Sequence, residues 1–245
     1  GYFECLGYST AIDSLAAVKK VVYEDGVLSM QELLDALECD FVGREDVQAI
    51  LANAPKYGND DEYADSIGLE IDRLAQQFSA RYAKTLGIRC DFRMVPFTSH
   101  VPFGRVVSAT PNGRRAWTPL SDGSSASHGA DISGPTAVLR SNFNTKNYNM
   151  SQRAARLLNV KFSPRCLEGE AGTRKLVDFI RVFCDLRLWH VQFNVINKET
   201  LIQAQQHPEL YKGLIVRIAG YSAYFTELSR DLQNDLIART EHDTM

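Results

Sequence analysis

Between residues 156 and 220 the chain switches repeatedly between short apolar runs and amphipathic segments. This alternation constrains its fold more than any other feature. "RLLNVKFSP" (156–164) reads as a strand, "GEAGTRKLVDFIRVFCDL" (169–186) as a helix, and "WHVQFNVI" (189–196) as a fully buried strand. "KETLIQAQQHPELYKG" (198–213) reads as a second helix and "LIVRIAG" (214–220) as another short apolar run. Strands separated by helices of this length pair in parallel, with the helices covering the sheet, so the second half is expected to be parallel α/β.

The first ~90 residues read as helical on their 3.6-residue apolar period. "STAIDSLAAVKKVVYEDG" has Ser9 or Thr10 as its expected N-cap, apolar Ile12, Leu15, Ala16 and Val18, and a stop at Gly26. Ser29 and Glu32 form a capping box. "REDVQAILANAPKYG" is a helix ending at Pro55 and Gly58, and "NDDEYADSIGLEIDRLAQQFSARYAKTLG" a long helix with acids in its first turn. From Phe92 the texture changes. "FRMVPFTSHVPFGRVVSA" is strand-like but interrupted by Pro96, Pro102 and Gly104, and "TPNGRRAW" is a tight turn on Asn112-Gly113. "PLSDGSSASHGADISG" is a long loop of the kind that is more often functional than accidental. "GPTAVLRS" is a short helix with Pro135 at its first position, and "SRDLQNDLIARTEH" a closing helix capped by Ser229. The organisation expected is a helical region at 1–91, then strands and helices at 92–245, without a split into independent domains.

Composition excludes several classes. A net charge of −3 offers no dense basic patch for nucleic acid, and no apolar run reaches the ~20 residues of a membrane span. The five cysteines (Cys5, Cys39, Cys90, Cys166, Cys184) have no metal-ligand spacing, and an odd number without a secretory signal points to reduced thiols in the cytoplasm. The five histidines show no such spacing either; His190, before a buried strand, reads as structural, and His128 in the polar loop stays open. "YGNDDEYAD" reads as a capped helix start, not a Mg²⁺ site. "SHGADISG" follows no Rossmann strand and is a weak phosphate candidate. Gly220 stands inside a strand-like run, where glycine marks a bulge, a tight bend or a close backbone approach.

"LIVRIAGYSAYF" resembles the signature of glycyl radical enzymes, in which Arg-Val-x-Gly-Tyr carries the radical glycine. Arg217, Gly220 and Tyr221 match, with Ile218 in the valine slot. "APKYGNDDEYAD", "VPFGRVVSATPNGRRAWTPLSDG", "GADISGPTAVL", "LLNVKFSP" and "WHVQFNVI" recur in that order in the diol-dehydratase-like branch, so the resemblance covers essentially the whole chain. It implies the C-terminal part of a ten-stranded α/β barrel, with a helical first third and a glycyl radical domain at about 197–245. It also implies that Gly220 lies at the tip of a hairpin-like loop, buried from water and oxygen. No bound cofactor is implied. A radical S-adenosylmethionine activating enzyme would take one hydrogen atom from the glycine, and the stored radical would oxidise a cysteine to a thiyl radical that attacks a small organic substrate.

The resemblance also implies what is missing. The family's Gly-Cys-x-Glu loop is not found, and the chain starts at Gly1 in a region that resembles sequence well downstream of that loop. The chain is therefore expected to be a natural split subunit or a fragment, inactive alone. It would be completed by an upstream segment that carries the thiyl cysteine, in an enzyme that forms a homodimer. Phe97, Thr98, Ser99 and Val101 are candidate pocket residues, because the matching strand of the family lines the pocket. Tyr57, where fumarate-adding synthases show Trp, favours a dehydratase, whereas "LRLWHVQFN" in place of a Gly-rich "LGGxHVQFN" favours the other side. A dehydratase or a lyase cleaving C–O, C–N or C–S bonds ranks first. A fumarate-adding alkyl- or arylsuccinate synthase, an arylacetate decarboxylase and a spare-part radical subunit remain alternatives.

Overall fold

The computed structural model describes residues 1–95, 97–146 and 155–243; Pro96 lies outside them. A short strand β1 (Tyr2–Glu4) leads into α1 (Tyr8–Ala17), which runs on as a π-helical segment, Val18–Glu24. Helices α2 (Met30–Glu38), α3 (Glu45–Ala52) and α4 (Glu62–Leu86) follow. The Ser29–Glu32 capping box forms as expected. The expected cap of α1 does not: Gly7, at φ +72°, precedes the helix, and Ser9 and Thr10 lie buried inside it. Their hydroxyls tie a distant loop instead. Ser9 donates to the Ser125 carbonyl, and Thr10 exchanges hydrogen bonds with Ser121, each 3.0 Å. A buried hydroxyl must find some partner, and here a tertiary one displaces the local cap.

The second half continues with β2 (Asp91–Arg93), α5 (His100–Gly104), α6 (Pro135–Asn144), β3 (Leu157–Phe162), α7 (Gly169–Asp185), β4 (His190–Val195), α8 (Lys198–Gln206), a hairpin of β5 (Ile215–Arg217) and β6 (Ser222–Tyr224), α9 (Arg230–Ala238) and β7 (Glu241–His242). Strand β1 pairs in parallel with β2, and a parallel bridge from Met94 to Arg156 links β2 to β3. Strands β3 and β4 pair in parallel over six residues, from Leu157 opposite His190 to Phe162 opposite Val195. The parallel α/β expectation therefore holds, with β3–α7–β4 as one unit. Three local expectations do not hold. The segment 98–104 turns into α5 and is not strand. Strand β4 is not fully buried: His190 and Val195 are exposed, because among the described residues β4 ends the sheet, with β3 as its one strand neighbour. The closing helix stops at Ala238, and β7 joins the far side of β3.

The sheet has two unlike faces. Leu158, Val160 and Phe162 of β3, with Val191 and Phe193 of β4, pack under α6 and α7 in one apolar cluster. The alternate positions, Asn159, Lys161, Gln192 and Asn194, point to the other side, where α9, the hairpin and the loop at 119–134 lie. Burying the carboxamides there requires partners for all of them. On the apolar side Phe162 is fully buried and meets Phe179 edge-on at 5.5 Å. Phe162→Ala should cost about 3–5 kcal/mol through lost burial and a cavity, read as a lower urea midpoint; an unchanged midpoint would remove this cluster as the seat of stability.

On the polar side a buried charge cluster joins α5, the loop and α9. Asp235 lies 3.1 Å from His100 Nε2, 3.3 Å from His128 Nε2 and 3.1 Å from Arg239, which also reaches Asp122 at 3.2 Å. Burial opposes ionisation of Asp235, but Arg239, then His128 and His100, hold its carboxyl far below the usual carboxylate range. Burial likewise opposes charge on His100, yet the hydrogen bond and charge of Asp235 raise its pKa; burial keeps that of His128 down. The His100–Asp235 attraction is thus fully present below the ordinary histidine pKa of about 6.5 and is lost as pH rises through the higher folded value. Asp235→Asn should cost about 3–5 kcal/mol by stranding buried cations, and the loss should be larger near pH 6 than near pH 9 in urea unfolding. Equal losses would mean that His100 carries no charge in the cluster.

Candidate functional site

The run at 214–225 folds as the hairpin. Ile215 faces Tyr224, Val216 faces Ala223 and Arg217 faces Ser222 across antiparallel strands. Val216, Ile218, Ala219 and Phe225 are buried, anchoring the base, whereas Gly220 and Tyr221 are exposed at the tip. The Ile218 N–H donates to the Tyr221 carbonyl (2.9 Å), leaving Ala219 and Gly220 as the turn. Gly220 has φ +86°, the value that the third position of a type II turn demands of glycine. A Cβ built there would meet nothing within 4 Å, so space does not demand glycine at this position; backbone conformation does.

The hairpin is fastened to β4 by side chains. Asn194 grips the backbone of Arg217 twice: its Oδ1 accepts from the Arg217 N–H (2.8 Å) and its Nδ2 donates to the Arg217 carbonyl (2.7 Å). Two residues earlier on the same face, Gln192 Nε2 donates to the Ile218 carbonyl (3.0 Å), and its Oε1 accepts from the Gly220 N–H (2.9 Å). Arg217 reaches forward, donating from Nη2 to the Gly220 carbonyl and from Nη1 to Ser222 Oγ, each at 3.2 Å. Gln192 is backed by Asn159, Asn159 by Asp122, and Asp122 by Arg239, whose Nη1 also donates to the Ile218 carbonyl (3.4 Å).

Beside the tip lies a cleft of about 250 Å³, lined by Gly220, Tyr221, Phe97, Arg156, Leu157 and His190 among others. Of the four pocket candidates, Phe97 alone is among these lining residues; it is exposed and held at φ +56°. Thr98 and Ser99 sit in the turn that starts α5, and Val101 is buried against Ile218 and Ala219 at the hairpin base. His190 stands at the cleft and not in a buried strand. Arg156 offers the cleft no free charge, since its guanidinium donates to Asp72 at 2.7 Å and Thr145 Oγ1 at 2.9 Å. None of the five cysteines is among the described residues lining the cleft. Cys5 is partly buried, and burial pushes its thiol up to about 11, against the pull of Arg156, so it is protonated at neutral pH. Gly220 is exposed, unlike the buried placement implied by the resemblance.

The residues that hold Gly220, namely Gln192, Asn194, Asn159, Asp122 and Arg239, were not singled out in the sequence. The signal was there: polar residues at alternate positions of two apolar strands, Asn159 and Lys161 in one, Gln192 and Asn194 in the other.

Comparison with known proteins places this geometry. A family model described as "Glycine radical" matches residues 120–226, which include the whole hairpin tip, and one described as "Pyruvate formate lyase-like" matches residues 1–104. Isethionate sulfite-lyase of Oleidesulfovibrio alaskensis is 68% identical over 245 residues, covering 100% of this chain and 30% of that protein. Trans-4-hydroxy-L-proline dehydratase of Clostridioides difficile is 40% identical over 249 residues, covering 98% of this chain and 30% of the relative. The glycerol-bound B12-independent glycerol dehydratase of Clostridium butyricum superposes with a TM-score of 0.91 at 40% identity, over 99% of this chain and 31% of that one. The chain thus spans about 30% of the length of the relatives it matches. Two matched regions flanking the middle of the chain, and a shared α/β fold along nearly its whole length, lead to one assignment: the chain belongs to the glycyl radical enzyme family.

Proposed function

We propose that this chain is the radical-bearing portion of a glycyl radical lyase that cleaves a C–S bond in a small hydroxyalkyl sulfonate of the isethionate type. Gly220 is the radical site in this reading, and the observation that carries it is the hairpin tip: a glycine with φ +86°, hydrogen-bonded through both its N–H and its carbonyl, inside the matched region. Removing one hydrogen atom from its α-carbon leaves an unpaired electron that spreads into both neighbouring peptide groups. Spreading requires a flat centre, and glycine has no Cβ to hinder it. The radical then takes the hydrogen atom of a cysteine S–H, regenerating the Gly220 C–H and leaving a thiyl radical. That cysteine is assigned to a segment outside this chain, since no cysteine is among the described residues lining the Gly220 cleft. Arg217 and Tyr221 complete the radical-loop motif, and Phe97 is retained as a pocket wall.

Identity of 68% to a sulfite-lyase, against 40% to a hydroxyproline dehydratase, supports sulfite as the leaving group. In such a substrate the thiyl takes a hydrogen atom from the carbon that bears the hydroxyl. The C–S bond on the adjacent carbon breaks, sulfite leaves together with the hydroxyl proton as hydrogensulfite, and the cysteine returns its hydrogen atom to that carbon, giving an aldehyde with no net oxidation. Residues 1–91 would pack outside the barrel and residues 197–245 would form the radical domain. A radical S-adenosylmethionine activating enzyme would install the radical in the cytoplasm, in a homodimer of the complete enzyme. The match across residues 1–104 argues against a spare part that carries little beyond the radical loop.

The test is anaerobic electron paramagnetic resonance of the complete enzyme with an activating enzyme, reductant and S-adenosylmethionine, alongside sulfite release from isethionate. A doublet and sulfite release are expected. Gly220→Ala should abolish both, yet fold, since its Cβ has room and the left-handed backbone costs about 1–2 kcal/mol. A doublet that persists in Gly220→Ala would move the radical elsewhere; a doublet without sulfite release would overturn the substrate class.

A further inference from the structure

The carboxamide of Gln192 is 5% exposed and bridges two backbone groups of the hairpin turn. The Ile218 carbonyl can only accept and the Gly220 N–H can only donate, so the amide has one possible orientation, Nε2 to Ile218 at 3.0 Å and Oε1 to Gly220 at 2.9 Å. The bridge closes a ring across the turn. Asn159 holds Gln192 from behind, Asp122 holds Asn159, and Arg239 ties Asp122 back to the same Ile218 carbonyl. Gln192 is thus the turn-facing end of a buried polar chain, and its contact is with the peptide group of Gly220 itself. Asn194, on the same face, contacts Arg217 at the hairpin base and leaves the glycine untouched.

A radical at the Gly220 α-carbon is stabilised only while the peptide on its N-terminal side and the peptide on its C-terminal side lie in one plane. The first of these carries the N–H held by Gln192; the second carries the carbonyl held by Arg217 Nη2 at 3.2 Å. Arg217 lies on the exposed side of the hairpin, whereas Gln192 is buried and braced, so Gln192 is the firmer of the two holds. We propose that Gln192 is the positioning residue of the radical glycine: at φ +86° the Ala219–Gly220 peptide stands turned out of the α-carbon plane, and the Gln192 hold on its N–H sets how far that peptide swings into the plane as the radical spreads. The proposal rests on the reading of Gly220 as the radical site, and it adds a residue on β4 that is not among those lining the cleft. A neutral acceptor suits the task, because it orients the N–H without placing a full charge beside the radical.

The experiment compares the complete enzyme with Gln192→Met, Gln192→Glu and Asn194→Ala. Before activation, amide hydrogen exchange at Gly220 is read by NMR of glycine-labelled protein. After activation in deuterated buffer, the coupling of the exchangeable Gly220 deuteron is read by electron–nuclear double resonance, together with the lifetime of the doublet under argon. Gln192→Met removes both hydrogen bonds at similar volume and should speed exchange about tenfold, the worth of one hydrogen bond; by freeing the peptide to swing into the plane it should also raise the deuteron coupling and prolong the radical's lifetime. Gln192→Glu keeps an acceptor, now charged, and should move the deuteron coupling in the direction opposite to Gln192→Met. Asn194→Ala should loosen the hairpin base without shifting that coupling. A merely structural role would move all three variants alike, so alike shifts overturn the proposal, as does an unmoved coupling in both Gln192 variants. Should Gln192→Met fail to fold, the Gln192→Glu and Asn194→Ala comparison still decides. Absence of a doublet in the unmodified enzyme would overturn the radical reading itself, and the exchange arm, which needs no radical, keeps that failure distinct from failure of the clamp.

Discussion

A backbone turn that rests on a buried surface must find a partner for every peptide group it hides, and the Gly220 hairpin does so without a strand ladder to the sheet beneath it. Its two short strands pair with each other, and the sheet below reaches it through the carboxamides of Gln192 and Asn194. A carboxamide carries the same donor and acceptor as a peptide group, so it can stand in for a neighbouring strand. The rest of the polar side follows from that choice. Gln192 and Asn159 must be satisfied in turn, which brings in Asp122, and the charge of Asp122 brings in Arg239. Arg239 shares Asp235 with His100 and His128, so one continuous set of buried partners runs from the glycine peptide to α5, α9 and the loop at 119–134.

The functional consequence is position. The hairpin base is apolar and fixed, with Val216, Ile218, Ala219 and Phe225 packed beside Val101, while the tip carries the glycine into a cleft walled on this side by Phe97, Leu157 and His190. Among the described residues the groups hydrogen-bonded to Gly220 are the Gln192 carboxamide, at its N–H, and the Arg217 guanidinium, at its carbonyl. The chain spans about 30% of the length of its relatives, and Gly220 and Tyr221 are exposed at the tip.

Legibility of the fold tracked how local each cause was. The Ser29–Glu32 capping box, the Asn112–Gly113 turn, Pro135 at the start of α6 and Ser229 at the start of α9 depend on residues within a few positions of one another, and each formed as the pattern indicated. The cap of α1 and the end of the last helix did not follow the local pattern. Ser9 and Thr10 bind Ser125 and Ser121 more than 100 positions away, and Arg239 leaves the helix to join a buried charge cluster while residues 241–242 pair with β3. Long-range partners overrode short-range preference at both places. The candidate site divided the same way. The motif around Arg217, Gly220 and Tyr221 was visible as a run, whereas of Phe97, Thr98, Ser99 and Val101 the structure brings Phe97 to the cleft, since the chain curls into α5 right after it.

By itself, then, the sequence determined the alternation of strand and helix, the parallel sense of the sheet, and a glycine within a motif that no packing rule requires. Those are properties of periodicity, propensity and local chemistry, which short stretches of chain carry intact. The tertiary structure alone decided which polar residues on strands nearly thirty positions or more from the glycine in sequence turn to face it, and that one carboxamide of β4 meets its N–H. Facing is set by strand register, by the order β4-β3-β7, and by the requirement that each buried polar group be paired, and none of these is expressed until the chain has closed on itself.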